Sequence, residues 1–241
     1  MGKKGKEAAR AGGRAGAVVT GADRGIGYGY EIARQLALHG LHGRGREDPC
    51  GGGDGGERGV ASVPAFAAWA AQTHGGIHVL VNNAGVNFNR GADNSVEFAD
   101  QVIETNYLGT KRMIEAMMPV MKPSHDGRIV NVSSRLGRLN GRRNRIGDAS
   151  LRERLLNDDH LFEELIDEMV MKFPEQTKQD NWSSKWPQMY TDYSVSKLAV
   201  NAYTRLLAMI LWDRHDGQKI YINCFCPGWF KTAMTGWEGN I

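Results

Sequence analysis

The chain has 241 residues, 41% of them hydrophobic and 24% charged, with a net charge of +3. That length allows one α/β domain with a substantial core, and the composition is ordinary for a soluble globular protein. The small net charge argues against a nucleic-acid partner, and no apolar stretch approaches the ~18 residues needed to cross a bilayer.

Residues 1–14 carry Lys3, Lys4, Lys6, Arg10 and Arg14 and read as a basic flexible tail. The apolar run behind it, Ala15 to Val19, is too short for a signal-peptide core. Ala15 to Thr20 reads as a strand that ends in a turn at Gly21, and Ile26 to Leu38 as a helix with Ile32 and Leu36 on one face. Gly40 to Gly59 is rich in glycine and lacks apolar periodicity, which predicts a loop. Ser62 to Gln72 reads as a helix, Ile77 to Val81 as a buried strand, Val96 to Met121 as a long helix and Arg128 to Val132 as a further strand. Residues 138–187 form an insert with a helical middle. Leu151, Leu155, Phe162, Leu165, Ile166, Met169 and Val170 share its apolar face, flanked by Asp158, Asp159, Glu163 and Asp167. Tyr193 to Trp212 predicts a helix and Ile220 to Phe225 a strand that ends at Pro227-Gly228. Strands alternating with helices predict a parallel sheet covered on both faces. Cys50, Cys224 and Cys226 do not suggest a disulfide framework and fit a reducing cytosolic setting. His74 and His78 flank a strand and make a poor metal pair, so no metal is expected.

Three places carry chemistry. Thr20-Gly21-Ala22-Asp23-Arg24-Gly25-Ile26-Gly27 lies between the first strand and the first helix. Glycines there let backbone N–H groups approach a pyrophosphate, and the helix N-terminus adds partial positive charge. A cluster of glycines alone would equally make a plain turn; its position supports a dinucleotide site. Arg24 inside the turn is either a surface arginine or a partner for a ribose 2′-phosphate, which would favour NADPH. Tyr193 and Lys197 sit four apart on one helix face. A free phenol, with a pKa of about 10, is a poor acid at neutral pH, and a nearby ammonium should lower that value and make Tyr193 a general acid. Tyr-x-x-x-Lys by itself is common. Ser133-Ser134 follows a strand at the end where open α/β sheets bind ligands, and a hydroxyl there can bond a substrate carbonyl. Asn106 falls on the apolar face of its helix and needs a partner, whether backbone or site.

Taken together these residues resemble the short-chain dehydrogenase/reductase superfamily. The resemblance runs through Gly21, Gly25 and Gly27, then Asn82-Asn83-Ala84-Gly85, Asn106, Ser134, Tyr193, Lys197, Pro227-Gly228 and Thr232, in family order across almost the whole chain. Ser134 and Tyr193 are 59 positions apart (193 minus 134). A long helical insert between them is similar to that of monomeric carbonyl reductases and of plant reductases of the salutaridine and menthone type. The segment Cys226 to Gly236 looks like the plant branch.

The resemblance implies a Rossmann-like doubly wound parallel sheet over residues 15–241, with the insert at 138–187. It implies an NADP(H)-dependent oxidoreductase that converts a ketone or aldehyde to an alcohol, acting on a small-molecule carbonyl substrate, cytoplasmic and monomeric, with no nucleic-acid or membrane partner. Gly21, Arg24, Gly25, Ile26 and Gly27 would hold the cofactor's pyrophosphate and 2′-phosphate. Asn83, with Ala84 and Gly85, would pass under the adenosine and its ribose. Lys197 would bind the nicotinamide ribose and bias Tyr193, the proton donor. Ser134 would steady the oxygen, and Asn106 would support a proton relay to Lys197. Thr232 and the backbone after Pro227-Gly228 would hold the carboxamide. Many relatives dimerise through the helices that follow the fourth and fifth family strands, a surface the insert should cover.

The chain departs from the family in two places. Residues 40–61 contain neither of the family's second and third strands; Leu41 to Arg46 is a poor strand. Ile241 falls where the family continues into a last helix and strand. These departures support a second reading: a catalytically impaired or silent relative, a truncated product or a degenerate paralogue.

Overall fold

A computed structural model describes residues 15–22, 28–39, 41, 57–92, 94–122, 127–142, 144–179, 182–212 and 219–239. The basic tail, Arg24, Gly25, Ile26, Gly27, Cys50 and most of the 40–59 segment lie outside the described residues.

Among the described residues four parallel strands form one sheet: β1 (Ala17–Val19), β2 (Val79–Asn82), β3 (Gly127–Val132) and β4 (Ile220–Phe225), side by side in that order. Parallel neighbours need crossovers. These are α1 (Tyr28–Leu38) and α2 (Glu57–His74) between β1 and β2, then α3 (Ala99–Ile103) and α4 (Gly109–Met117) between β2 and β3. Between β3 and β4 come α5 (Ala149–Leu156), α6 (Glu163–Thr177) and α7 (Thr191–Trp212). Helix α2 begins at Glu57, so the expected loop is shorter at its end than glycine content suggested.

Register places Leu80, Ile129 and Ile222 across one face of the sheet. They are almost fully buried, with α4 and α7 against that side. Burying such side chains contributes about 1.5–3 kcal/mol each. Farther along the same face, Asn82 Nδ2 donates to Asn131 Oδ1 at 2.9 Å, and Asn131 Nδ2 donates to Thr204 Oγ1 of α7 at 2.9 Å. This polar rung ties the strand ends to the helix under the cleft.

The long helix expected over Val96 to Met121 runs from Ala99 to Met117, and a π-helical turn at Glu104–Leu108 interrupts it. The insert is two helices rather than one stripe, because the chain breaks at Asn157 and makes a 3-10 turn at Asp158–His160. Leu155, Leu165, Ile166, Met169 and Val170 are buried as expected. Phe162 is not: it stands at the N-cap of α6, beyond the break in periodicity, and is 57% exposed.

Candidate active site

The carboxyl ends of all four strands open on one cleft of about 650 Å³. Its lining includes Gly21 after β1, Asn83 to Val86 after β2, Ser133 and Ser134 after β3, and Cys226 to Thr232 after β4. Tyr193 and Lys197 reach it from the first turns of α7.

The floor is fixed by close backbone approach. Gly21 has φ +68, and a Cβ there would lie 3.0 Å from Ala84 Cα, so only glycine fits. Thr20, which the sequence reading did not single out, locks the two strand ends together. Its Oγ1 accepts from Asn83 N at 3.0 Å and Ala84 N at 2.9 Å, while Asn83 Nδ2 donates to Thr20 O at 3.0 Å. Threonine just past a strand is too common a residue to stand out in sequence.

Asn106 occupies the π-helical turn. Its Oδ1 accepts from Val86 N at 2.7 Å, and its Nδ2 donates to Val86 O at 2.9 Å and Ser196 Oγ at 3.0 Å. The side chain thereby holds the loop after β2 against α7. Thr110 Oγ1 donates to its carbonyl at 2.9 Å. Gly85 lies between the partners: a Cβ there would meet Asn106 Oδ1 at 3.2 Å and Lys197 Nζ at 3.5 Å.

Lys197 is buried, and its Nζ donates to Val132 O at 2.9 Å, 5.6 Å from the centroid of the Tyr193 ring. Burial pulls its ammonium down to about 8. The expected lowering of Tyr193 does not occur in this environment. Burial is the largest influence and, with the Cys226 thiol, pushes the phenol up to about 12; a hydrogen bond with Ser134 pulls the other way. The phenol therefore keeps its proton at neutral pH.

Ser134 begins a 3-10 turn (Arg135–Gly137), and its Oγ accepts from Leu136 N at 3.2 Å. That turn is clamped to α7: Asn201 Nδ2 donates to Gly137 O at 2.9 Å, and Ser133 Oγ donates to Asn201 Oδ1 at 2.5 Å. After β4, Gly228 has φ +98. Thr232 closes a small turn, its carbonyl accepting from Thr235 N at 3.1 Å and Trp237 N at 2.8 Å. Cys224 and Cys226 are free and exposed. No cluster that could hold a metal ion occurs among the described residues.

The structure thus brings Gly21, Asn83, Ala84, Gly85, Ser134, Tyr193, Lys197, Pro227, Gly228 and Thr232 to one cleft, with Asn106 beneath it. Residues 58–146 match a family profile described as short chain dehydrogenase. The chain is 37% identical over 183 residues to carbonyl reductase [NADPH] 3 of Rattus norvegicus, covering 74% of this chain and 62% of that protein. It is 32% identical over 255 residues to carbonyl reductase [NADPH] 3 of Mus musculus, covering 93% and 84%. Its fold is similar to that of salutaridine reductase from Papaver somniferum, with TM-score 0.73 at 26% identity, covering 94% of this chain and 90% of that one.

Proposed function

The chain belongs to the short-chain dehydrogenase/reductase family, and from that premise we propose that it reduces a ketone or aldehyde to an alcohol with NADPH. The carrying observation is the meeting of Tyr193, Lys197 and Ser134 in one cleft at the carboxyl ends of the strands. A dinucleotide fits that cleft: Gly21, Gly85 and Gly228 leave the backbone bare along it, and a Cβ at Gly21 or Gly85 would press on neighbouring groups. The names of the rat and mouse relatives support the NADP form of the cofactor.

When bound, NADPH supplies the hydride. Asn83, Ala84 and Gly85 would lie along its adenosine side, and Pro227, Gly228 and Thr232 along its carboxamide. Tyr193 holds a proton that burial keeps on the phenol at neutral pH, and releases it to the carbonyl oxygen as negative charge develops there. The ammonium of Lys197, 5.6 Å from that ring's centroid, favours the phenolate left behind. Ser134 orients the oxygen. Asn106 acts through the loop it holds and through Ser196. Trp229, Phe230, Met189 and Met234 make the cleft apolar enough for a hydrophobic substrate. The free thiols of Cys224 and Cys226 support a cytosolic setting.

The test is NADPH oxidation against a panel of ketones and aldehydes by the parent chain and Tyr193→Phe. The variant should lose roughly 10²- to 10⁴-fold in rate at saturating NADPH. Near-full activity in the variant would remove Tyr193 as the donor. One observation favours a silent relative instead: among the described residues β1 has a partner on one side only. A fluorescence titration in which NADPH does not bind would decide for it.

A further inference from the structure

Tyr190, three residues before Tyr193, has φ +44. A residue other than glycine enters this left-handed region at an energetic cost and stays only where its surroundings hold it. They do so here. Tyr190 Oη donates to Gly91 O at 2.7 Å, and Ser194 N donates to Tyr190 O at 2.7 Å. On either side, Met189 N donates to Asn144 Oδ1 at 2.9 Å and Thr191 N to Asn94 Oδ1 at 2.8 Å. The loop after β2, through Gly91 and Asn94, and the insert, through Asn144, therefore hold this residue and its neighbours, and the ring hydroxyl itself is tied to Gly91.

That ring lies nearly parallel to Trp229, with centroids 6.4 Å apart and planes at 22°. The next residue, Phe230, turns elsewhere and meets Tyr28 edge-on at 5.2 Å. The loop after β4 thus sends one ring to the start of α1 and the other to the start of α7. Helix α1 follows the glycine turn, so Phe230 and Tyr28 stand at the dinucleotide side. Trp229, Tyr190 and Tyr193 all line the same cleft. Core packing does not account for the second pair: Trp229 is 42% exposed, and the adjoining Met189 52%. A ring on a strained backbone, tied through its hydroxyl and facing an exposed tryptophan in the cleft lining, is an arrangement for binding.

We infer that Tyr190 and Trp229 form a rigid aromatic shelf that selects carbonyl compounds bearing a planar aromatic ring, with Tyr190 as the specificity-determining residue. The assignment of the ligand as a carbonyl compound rests on the proposed reduction. A flat ring extends the stack through offset or edge contacts that a saturated ring of similar size cannot make. The left-handed backbone keeps the shelf in place before the ligand arrives, so little order is lost on binding.

Two probes with the same carbonyl separate flatness from size: acetylnaphthalene and acetyldecalin. Nonspecific apolar adsorption would favour the decalin, which is the more hydrophobic. Equilibrium dialysis on the full chain should show acetylnaphthalene bound about five- to tenfold more tightly. Tyr190→Leu, and separately Trp229→Leu, should bring that ratio near one, whereas Tyr190→Phe keeps the ring and the preference. A parent ratio near one, or a ratio that survives both leucine variants, overturns the shelf. NADPH oxidation in the same samples separates the two readings. Equal turnover of both ketones, with equal binding, sinks the shelf and leaves carbonyl reduction standing. Preferential binding of acetylnaphthalene with no NADPH consumed from either ketone sinks carbonyl reduction and leaves the shelf as a ligand site.

Discussion

Burial sets the protonation of the two central side chains in opposite directions, and this has a measurable consequence. Lys197 falls from an ordinary 10.5 to about 8 in the folded chain. Between those values the unfolded chain binds the proton and the folded chain does not, so stability rises with pH from about 8 toward 10. Tyr193 has the opposite sign, but its contribution is present below pH 10 and is lost only between 10 and about 12. Burial also pushes the Cys224 thiol up from 9.0, which opposes the lysine's rise above pH 9 within the window from 8 to 10, so the comparison with Lys197→Met isolates the lysine's part. Urea midpoints of the parent should climb relative to Lys197→Met across that window, by an amount that converts to roughly 2–3 kcal/mol. Parallel pH profiles for the two proteins would show that the ammonium is not desolvated. Arg24 lies outside the described residues, and its expected part is cofactor choice. Arg24→Ala should weaken NADPH about 10- to 100-fold and leave NADH nearly unchanged, as removal of an arginine–phosphate pair does. Equal losses for both cofactors would mean that Arg24 shapes the turn.

At the scale of elements, the site depends on how closely a short turn lies on α7. A Cβ on Gly137 would sit 2.4 Å from the carbonyl carbon of Lys197 and 2.6 Å from Leu198 N. These are backbone atoms inside a helix and cannot retreat. Gly137→Ala must therefore move the Arg135–Gly137 turn, which starts at Ser134 and is held by Asn201. The cost should be about 1–3 kcal/mol, read from a urea midpoint, and kcat should fall with it because Ser134 moves relative to Tyr193. An alanine variant unchanged in both measurements would show that the close approach is dispensable. The π-helical turn at Glu104–Leu108 works in the same way: it brings Asn106 to the loop after β2, where an uninterrupted helix would carry a different register.

For the whole molecule, the insert decides which surfaces remain free. Lys111 of α4 reaches Asp167 at 2.5 Å and Glu163 at 2.6 Å on α6, and Tyr107 Oη donates to the same Asp167 at 2.6 Å. Arg205 of α7 pairs with Asp158 at 3.1 Å. With Leu165 and Met169 buried, α6 is packed on α3 and α7, and Arg205 of α7 donates to Leu155 O of α5; the helices after β2 and β3 are those the family resemblance assigns to pairing. We expect a monomer, seen as one species whose sedimentation does not change with concentration. A stable dimer at all concentrations would mean that the insert leaves a pairing surface open. Among the described residues one side of β1 has no strand partner, and an edge left unpaired would work against solubility by templating further pairing; its three residues keep that edge short.

Much of this was legible in the linear chain. Alternation of strand and helix is a local signal, and so is the placing of Tyr193 and Lys197 on one helix face; that Asn106, Ser134, Gly21, Gly85 and Gly228 belong with them came from the family resemblance, and the structure brings them to or beneath one cleft. Other features depend on groups far apart in sequence. Thr20 matters only because register brings Asn83 and Ala84 beside it. Asn201 matters only because Gly137 is pressed on α7. Phe162 carried the right chemistry for the buried stripe and lost its place to a chain break. The pKa of Tyr193 shows the division most plainly. Its spacing from Lys197 pointed to a lowered value, yet desolvation is a property of everything packed around a group, and the folded environment raised it.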